Sequence, residues 1–370
     1  MMIKVLFLIH DLGHGGAEKV LVNLVNNMDK DKFEVTVIAL FAGGVNEQFL
    51  NSNIIFKTIF RKSFLGNSKF LKCFSPRFLH KRFIKEKYDI EISYLEGPSA
   101  RIISGCPHND VKLVSWIHVE QHTKQVASSA FRNYREAEKC YGKFHETICV
   151  SEYVKQDFLK LFPKIKNVQV LYNTNETKQI LKLKEEPIDE NLFTDKEIKL
   201  CGVGKIVPIK GFFRMARIQK RLKENGYPTH FYALGVGPEQ IEIEKYLQEN
   251  NLSDSFTFLG YQTNPYKYVS KCDVFVCAST AEGFSTAATE ALIVGTPVVT
   301  TLVSGMEEML GDNEFGIITE NNEDALYEGI KKLLDDRKLL EYYTKKAQER
   351  GVAFSTENTV QAVENMLKIL

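Results

Sequence analysis

Short apolar runs alternate along most of this chain with longer segments whose apolar residues recur every three or four positions. The run at 3–9 (IKVLFLI) is apolar but for Lys4, as expected of a buried strand. Past a glycine-rich turn, Val20, Leu21, Leu24, Val25 and Met28 form one apolar stripe on a helix. A second run follows at 33–40. Strand-like runs return at 90–95, 112–117, 147–150 and 168–171, and again at 198–203, 229–234, 256–259, 273–277 and 315–318. Met215, Ile218 and Leu222 make a helical stripe between two of them, and Val360, Val363, Met366, Leu367 and Leu370 make another at the end. Strands alternating with helices in this way predict an α/β protein with parallel, doubly wound sheets.

At 370 residues the chain is longer than one hydrophobic core usually serves, so two domains are expected. The pattern breaks where 173–196 turns polar (NTNETKQILKLKEEPIDENLFTDK). This divides the chain into a first domain at 1–175, a linker at 176–197 and a second domain at 198–355. Composition is that of an ordinary soluble protein, and a net charge of +1 argues against a nucleic-acid binder as a whole. Seven cysteines without C-x-x-C pairing read as a reduced cytosolic chain, with no disulfide framework and no zinc site. In that compartment the sequon at Asn175, Glu176 and Thr177 carries no meaning. The apolar start is interrupted by Asp11, Gly13 and His14 too early for a signal peptide, and no run is long enough to span a bilayer.

Residues 279–300 (STAEGFSTAATEALIVGTPVVT) bring in chemistry. They follow the run at 273–277, and a helix is expected from Ser285 until Gly295 and Pro297 close it. Gly283, Phe284 and Ser285 lead into the helix N-terminus, where free N–H groups and the dipole favour an anion. Glu282 stands before that point and Glu290 inside the helix, so carboxylates can hold hydroxyls on either side of a phosphate. That layout suits a nucleotide sugar. Lys205 and Lys210 flank the turn after 198–203, where two cations can converge on a diphosphate. Either lysine alone reads as a solvated loop residue.

The paired glutamates, GGAEK at 15–19, VGKIVPIKG at 203–211 and the EA-x-x-x-G-T-P-V ending at 290–298 occur in one order along the chain. With them the sequence resembles the group-1 (family 4) retaining glycosyltransferases of the GT-B fold, of the bacterial surface-polysaccharide type. The resemblance implies two doubly wound Rossmann-like domains facing each other across a cleft. The first domain would be on the acceptor side, with a C-terminal helix at 356–370 crossing back onto it, and the second would bind the nucleotide sugar. It implies pyrophosphate contacts at Gly15 and Gly16, which alone read as tight-turn glycines. It places His118, at the end of the SWIH run, before the donor sugar; a lone histidine there is otherwise a packed or solvated one. Lys205, Lys210 and the amides of Gly283, Phe284 and Ser285 would stabilise the leaving diphosphate, Glu290 would hold the ribose and Glu282 a sugar hydroxyl. Leu259 and Tyr261 would lie at the base, although Leu259 reads equally as core.

In the family the first lysine position is usually arginine. Lys205 keeps the charge and gives up the bidentate fork. The implied reaction moves a hexose or N-acetylhexosamine from a nucleotide sugar, UDP-linked, to a lipid-linked or polysaccharide acceptor, with retention and with neither metal nor cofactor. The D-x-D at Asp29, Lys30 and Asp31 reads as a solvated turn. Two other readings stand beside this one: a GT-B-fold sugar-nucleotide epimerase, and a non-catalytic subunit that supports a partner.

Residues 59–87 differ from the rest. Nine lysines and arginines face a single acid, Glu86, and Phe60, Phe64, Phe70, Phe74, Phe78 and Phe83 are threaded among them. Such a segment suits an anionic membrane surface; a solvated helix pair with its phenylalanines turned inward is the alternative. No recognition motif accompanies the charge, so nucleic acid is not an expected partner. The expected location is cytoplasmic, on the inner face of the cell membrane.

Overall fold

The computed structural model describes residues 2–62, 67–189, 192–193 and 197–370, the side chains of 67–69 excepted. Phe64 and the side chain of Lys69, counted above in the basic segment, lie outside the described residues. The chain divides into two compact units, Met1–Thr174 with Glu357–Leu370, and Asn175–Thr356.

The first unit is built on seven parallel strands: β1 (Ile3–Ile9), β2 (Phe33–Phe41), β3 (Ile55–Phe60), β4 (Ile90–Ser93), β5 (Lys112–Ile117), β6 (Glu146–Cys149) and β7 (Val168–Val170). Their spatial order is β3-β2-β1-β4-β5-β6-β7. The second holds six: β8 (Ile198–Val203), β9 (Thr229–Leu234), β10 (Phe256–Gly260), β11 (Val274–Cys277), β12 (Val298–Thr301) and β13 (Ile317–Thr319), in the order β10-β9-β8-β11-β12-β13. Both sheets therefore reverse direction of winding once, between β1 and β4 and between β8 and β11. Ligands of open α/β sheets bind beyond the carboxyl ends of the strands at such points.

The apolar runs form the central strands because both faces are covered. Leu200, Phe231, Val274 and Val299 are buried, packed with the stripe Met215, Ile218 and Leu222 of helix Phe212–Glu224. Each such side chain contributes about 1.5–3 kcal/mol by leaving water. Strand β3 has no counterpart in the sequence reading. It is a half-exposed edge whose apolar run is broken by Lys57 and Thr58.

The described part of the tract expected at 176–197 as a linker holds a helix. Helix Thr177–Leu183 packs within the second unit against helices Thr286–Val294 and Tyr266–Val269, with Ile180 buried. Asn264 Nδ2 donates to Leu183 O at 2.9 Å, satisfying a carbonyl at the helix end. A short polar helix with two buried residues, Thr177 and Ile180, leaves little periodicity to read. Within the first unit, helix Thr356–Ile369 is fixed from Glu357 onward through Glu364, whose Oε1 accepts from Asp29 N at 2.7 Å.

The basic segment folds as helices Asn67–Lys72 and Pro76–Phe83. Buried Arg101 donates to Leu71 O (2.9 Å) and Phe74 O (2.7 Å) and pairs with Glu136 at 3.0 Å. Buried His80 meets Glu91 of β4 at 2.7 Å, pinning the second helix to the sheet. Phe78 and Phe70 are left about half exposed (51% and 47%), and their rings flank Phe74 at 5.1 and 5.4 Å. Arg77, Lys81, Arg82 and Lys85 are exposed beside them. No helix among the described residues is long and apolar enough to cross a membrane.

Candidate active site

The switch point of the second sheet gathers most of the residues singled out from the sequence. After β8 the chain runs through Gly204 and exposed Lys205 into a tight turn, Pro208–Lys210, and then Gly211. Gly211 has φ +71°, and a Cβ there would stand 2.1 Å from the carbonyl oxygen of Ala278. Only glycine lets this turn lie against the end of β11. Thr280 N then donates to Ile209 O at 2.8 Å, joining the loops that follow the two central strands.

That junction brings Lys210 to Glu282. Lys210 Nζ lies 2.6 Å from Glu282 Oε1, and Ser279 Oγ donates to the same oxygen at 2.7 Å. Ser279 is held in turn by Thr301 Oγ1, which donates to its carbonyl at 2.6 Å. The Glu282 side chain is only 10% exposed, so the pair is weakly screened. An ammonium has three donors, and those not given to Glu282 are available to phosphate oxygens.

Gly283, Phe284 and Ser285 are buried and lead directly into helix Thr286–Val294. Ser285 is its N-cap, the side chain accepting from Ala288 N at 3.4 Å, and the first turn holds no acidic residue. The positive end of the dipole is thus left uncompensated by its own helix. Gly295, in the left-handed region, closes the helix. Glu290 is buried in the middle of it, and Tyr266 Oη donates to Glu290 Oε1 at 3.3 Å. At the end of β10, Leu259 is half-buried and Tyr261 exposed. Leu259 O accepts from Gln262 Nε2 at 2.6 Å and Gly260 O from Gly235 N at 2.8 Å, each keeping a second lone pair.

The first unit carries the remaining candidates around its own switch point. Gly15 is the N-cap of helix Gly16–Asn27, and the carboxylate of Glu18 lies over it, where a Cβ would meet Glu18 Oε2 at 2.0 Å. Burial raises the Glu18 carboxyl, opposed by a hydrogen bond from its own backbone N–H. His10 Nδ1 pairs with Asp11 Oδ2 at 2.7 Å, which holds the Asp11 carboxyl below the usual range.

His118 follows β5 and is buried, its ring 4.9 Å from that of Tyr94. Burial drives its pKa down to about 3, so the imidazole is neutral. Its Nε2 is buried without a partner among the described residues. His14 and His122 are exposed, which leaves His118 the histidine with an unmet hydrogen-bonding atom at this strand end. Asp29 and Asp31 sit in the turn into β2, where Asp31 N donates to Asp29 Oδ1 at 3.0 Å.

Three residues that shape these sites went unread in the sequence: Ser279, Tyr266 and Glu96. Glu96 lies two residues after Tyr94 and accepts from His118 N at 3.1 Å. An acidic residue just past the strand beside β1 could have been flagged, had the order of the strands been known.

Two family profiles match. The one described as "Glycosyltransferase Family 4" matches 14–178, and "Glycosyl transferases group 1" matches 184–350. The N-acetylgalactosamine-N,N'-diacetylbacillosaminyl-diphospho-undecaprenol 4-alpha-N-acetylgalactosaminyltransferase of Campylobacter jejuni is 29% identical over 100% of both chains. The lipopolysaccharide core biosynthesis glycosyltransferase LpsD of Rhizobium meliloti is 23% identical over 90% of this chain and 89% of its own. Among solved structures, Anabaena HepE in complex with UDP-glucose superposes with a TM-score of 0.79 over 100% of both chains, at 18% identity, a likeness of fold. The chain belongs to the group-1 (family 4) glycosyltransferases and has their GT-B fold of two Rossmann-like halves.

Proposed function

We propose that this protein transfers a hexose or N-acetylhexosamine from a UDP-sugar to a lipid-linked or polysaccharide acceptor, with retention, in cell-surface polysaccharide biosynthesis. The observation that carries the reading is the Lys210–Glu282 contact at the β8/β11 switch point, beside the N-terminus of helix Thr286–Val294. The Campylobacter relative, named for a diphospho-undecaprenol-linked acceptor, and the UDP-glucose complex of HepE support the acceptor and donor classes.

In this mechanism Lys205, Lys210 and the amides at Gly283, Phe284 and Ser285 take up the charge that develops on the leaving diphosphate. These are fixed donors, and no metal is called for. Glu290, oriented by Tyr266, holds the ribose hydroxyls, and the turn at Leu259 and Tyr261 meets the base. Glu282 Oε1 is taken by Lys210 and Ser279, so Oε2 is the atom offered to a hydroxyl of the donor sugar. The acceptor oxygen attacks from the face that the diphosphate leaves, and a departing phosphate oxygen takes its proton. The first unit offers substrate the Gly15–Gly16 turn and the unpartnered Nε2 of His118. The platform of Phe70, Phe74, Phe78 and exposed basic side chains rests on an anionic membrane surface, which puts the protein at the cytoplasmic face.

Thermal unfolding with UDP, ADP and GDP, each alone and as sugar conjugates, tests the donor assignment. A ligand at a hundred times its Kd stabilises the folded state by about 2.7 kcal/mol. UDP and at least one UDP-sugar are expected to raise Tm, and Glu290→Gln is expected to cancel the rise. A protein indifferent to every nucleotide would contradict the reading.

A further inference from the structure

Strand β4 stops at Ser93, which pairs with Ser115 of β5, while β5 continues to Ile117. Beyond Ser115 the last stretch of β5 therefore has no ladder partner on its β4 side. At its end the backbone N–H of His118 donates to Glu96 Oε2 at 3.1 Å, so a side-chain carboxyl oxygen takes the place of a strand neighbour. Gly97 follows with φ +87°, turning the chain away into helix Pro98–Ile103 at once. The position of Glu96 is thus fixed on both sides, by the end of β4 and by a turn that only glycine adopts readily.

What this contact holds is the residue with the unmet atom. The His118 ring packs on Tyr94, whose ring lies 4.9 Å from Trp116 and 5.8 Å from Phe7. The ring is held by that packing and by a hydrogen bond to the Tyr94 backbone, and the backbone beneath it by Glu96. A buried nitrogen without a partner gains only from a ligand atom placed within hydrogen-bond reach, and small displacements are costly. An error of about 1 Å in a positioning group can cost on the order of a hundredfold in rate.

We propose that Glu96 is a positioning residue for glycosyl transfer, acting through His118 by fixing the backbone from which the imidazole reaches substrate. This rests on the reading of His118 as a substrate contact. Glutamine keeps an accepting oxygen at the same reach, whereas leucine leaves the His118 N–H without its partner.

A double-mutant cycle on the full chain decides it, with kcat and the KM for the nucleotide sugar measured for Glu96→Gln, Glu96→Leu, His118→Ala and Glu96→Leu/His118→Ala. Glu96→Gln is expected to stay within about threefold of wild type. Glu96→Leu is expected to lower kcat about tenfold or more while the donor KM moves less than about threefold, and to cost nothing further once His118 is alanine. Effects that multiply in the double variant would overturn the proposal, as would a loss confined to KM or a fully active Glu96→Leu. Slow His118→Ala beside an indifferent Glu96→Leu sinks this inference alone; fully active His118→Ala sinks the reading of His118 and the inference with it. Should Glu96→Leu fail to fold, Glu96→Asp, which withdraws the carboxylate by one methylene, takes its place in the cycle with the same expectations.

Discussion

Lys210 Nζ lies 2.6 Å from Glu282 Oε1 across 72 residues of sequence, and the loops that bear them leave the two strands flanking the reversal of the second sheet. One partner is a cation suited to phosphate, the other a carboxylate held by Ser279. Removing the cation should therefore act on the transition state more than on folding. Lys210→Ala is expected to lower kcat/KM by about 10²–10³, the usual loss for one preorganised donor. Glu290→Gln is expected to act mainly on the donor KM. Steady-state kinetics on both variants, after circular dichroism confirms the fold, checks this; near-normal activity in both would remove the assignment.

His118 gives a prediction in pH. Its folded pKa, pushed by burial to about 3, lies below the ordinary 6.5, so the unfolded chain takes up a proton that the folded chain refuses. The stability it contributes is complete above pH 6.5 and is lost as pH falls towards 3, at about 1.4 kcal/mol per pH unit. His118→Gln removes that titration. Between pH 6.5 and 5.0, urea unfolding should show wild type losing about 2 kcal/mol more than the variant. Parallel pH curves would mean that His118 is not buried neutral.

The aromatic and basic platform predicts surface binding with two separable parts. Phe70→Ser/Phe78→Ser removes the two most exposed rings, and Lys81→Glu/Arg82→Glu reverses charge on the helix that bears Phe78. Co-sedimentation with anionic vesicles should fall in both. The charge variant should lose the salt-sensitive part and the phenylalanine variant the part that salt leaves intact. Equal binding to neutral and anionic vesicles would show the segment to be a solvated face.

Much of this was legible in the sequence, for physical reasons that also mark where legibility stopped. Strands β1, β2, β8 and β9 are predominantly apolar because both faces are covered, and the stripe Met215, Ile218 and Leu222 fell on the core side of its helix. Edge strand β3, exposed at Ile55 and interrupted by Lys57, had no such pattern to show. Helix Thr177–Leu183 hid in a polar tract because only one narrow face is buried. Glu282, Lys210 and Glu290 could be named because their motifs are local. Their partners Ser279, Tyr266 and Glu96 are set by which strand ends meet, a relation that spacing alone does not carry.

In the proposed mechanism a cationic and amide-lined diphosphate site drives retaining transfer from a UDP-sugar without a metal. The anomeric configuration of the product, read by NMR from a reaction run with UDP-sugar, acceptor and excess EDTA, tests it most directly. An α-linked product from an α-linked donor, formed at an undiminished rate, is expected. A β-linked product, activity that disappears with EDTA and returns with Mg²⁺, or an epimerised nucleotide sugar with no transfer would contradict it.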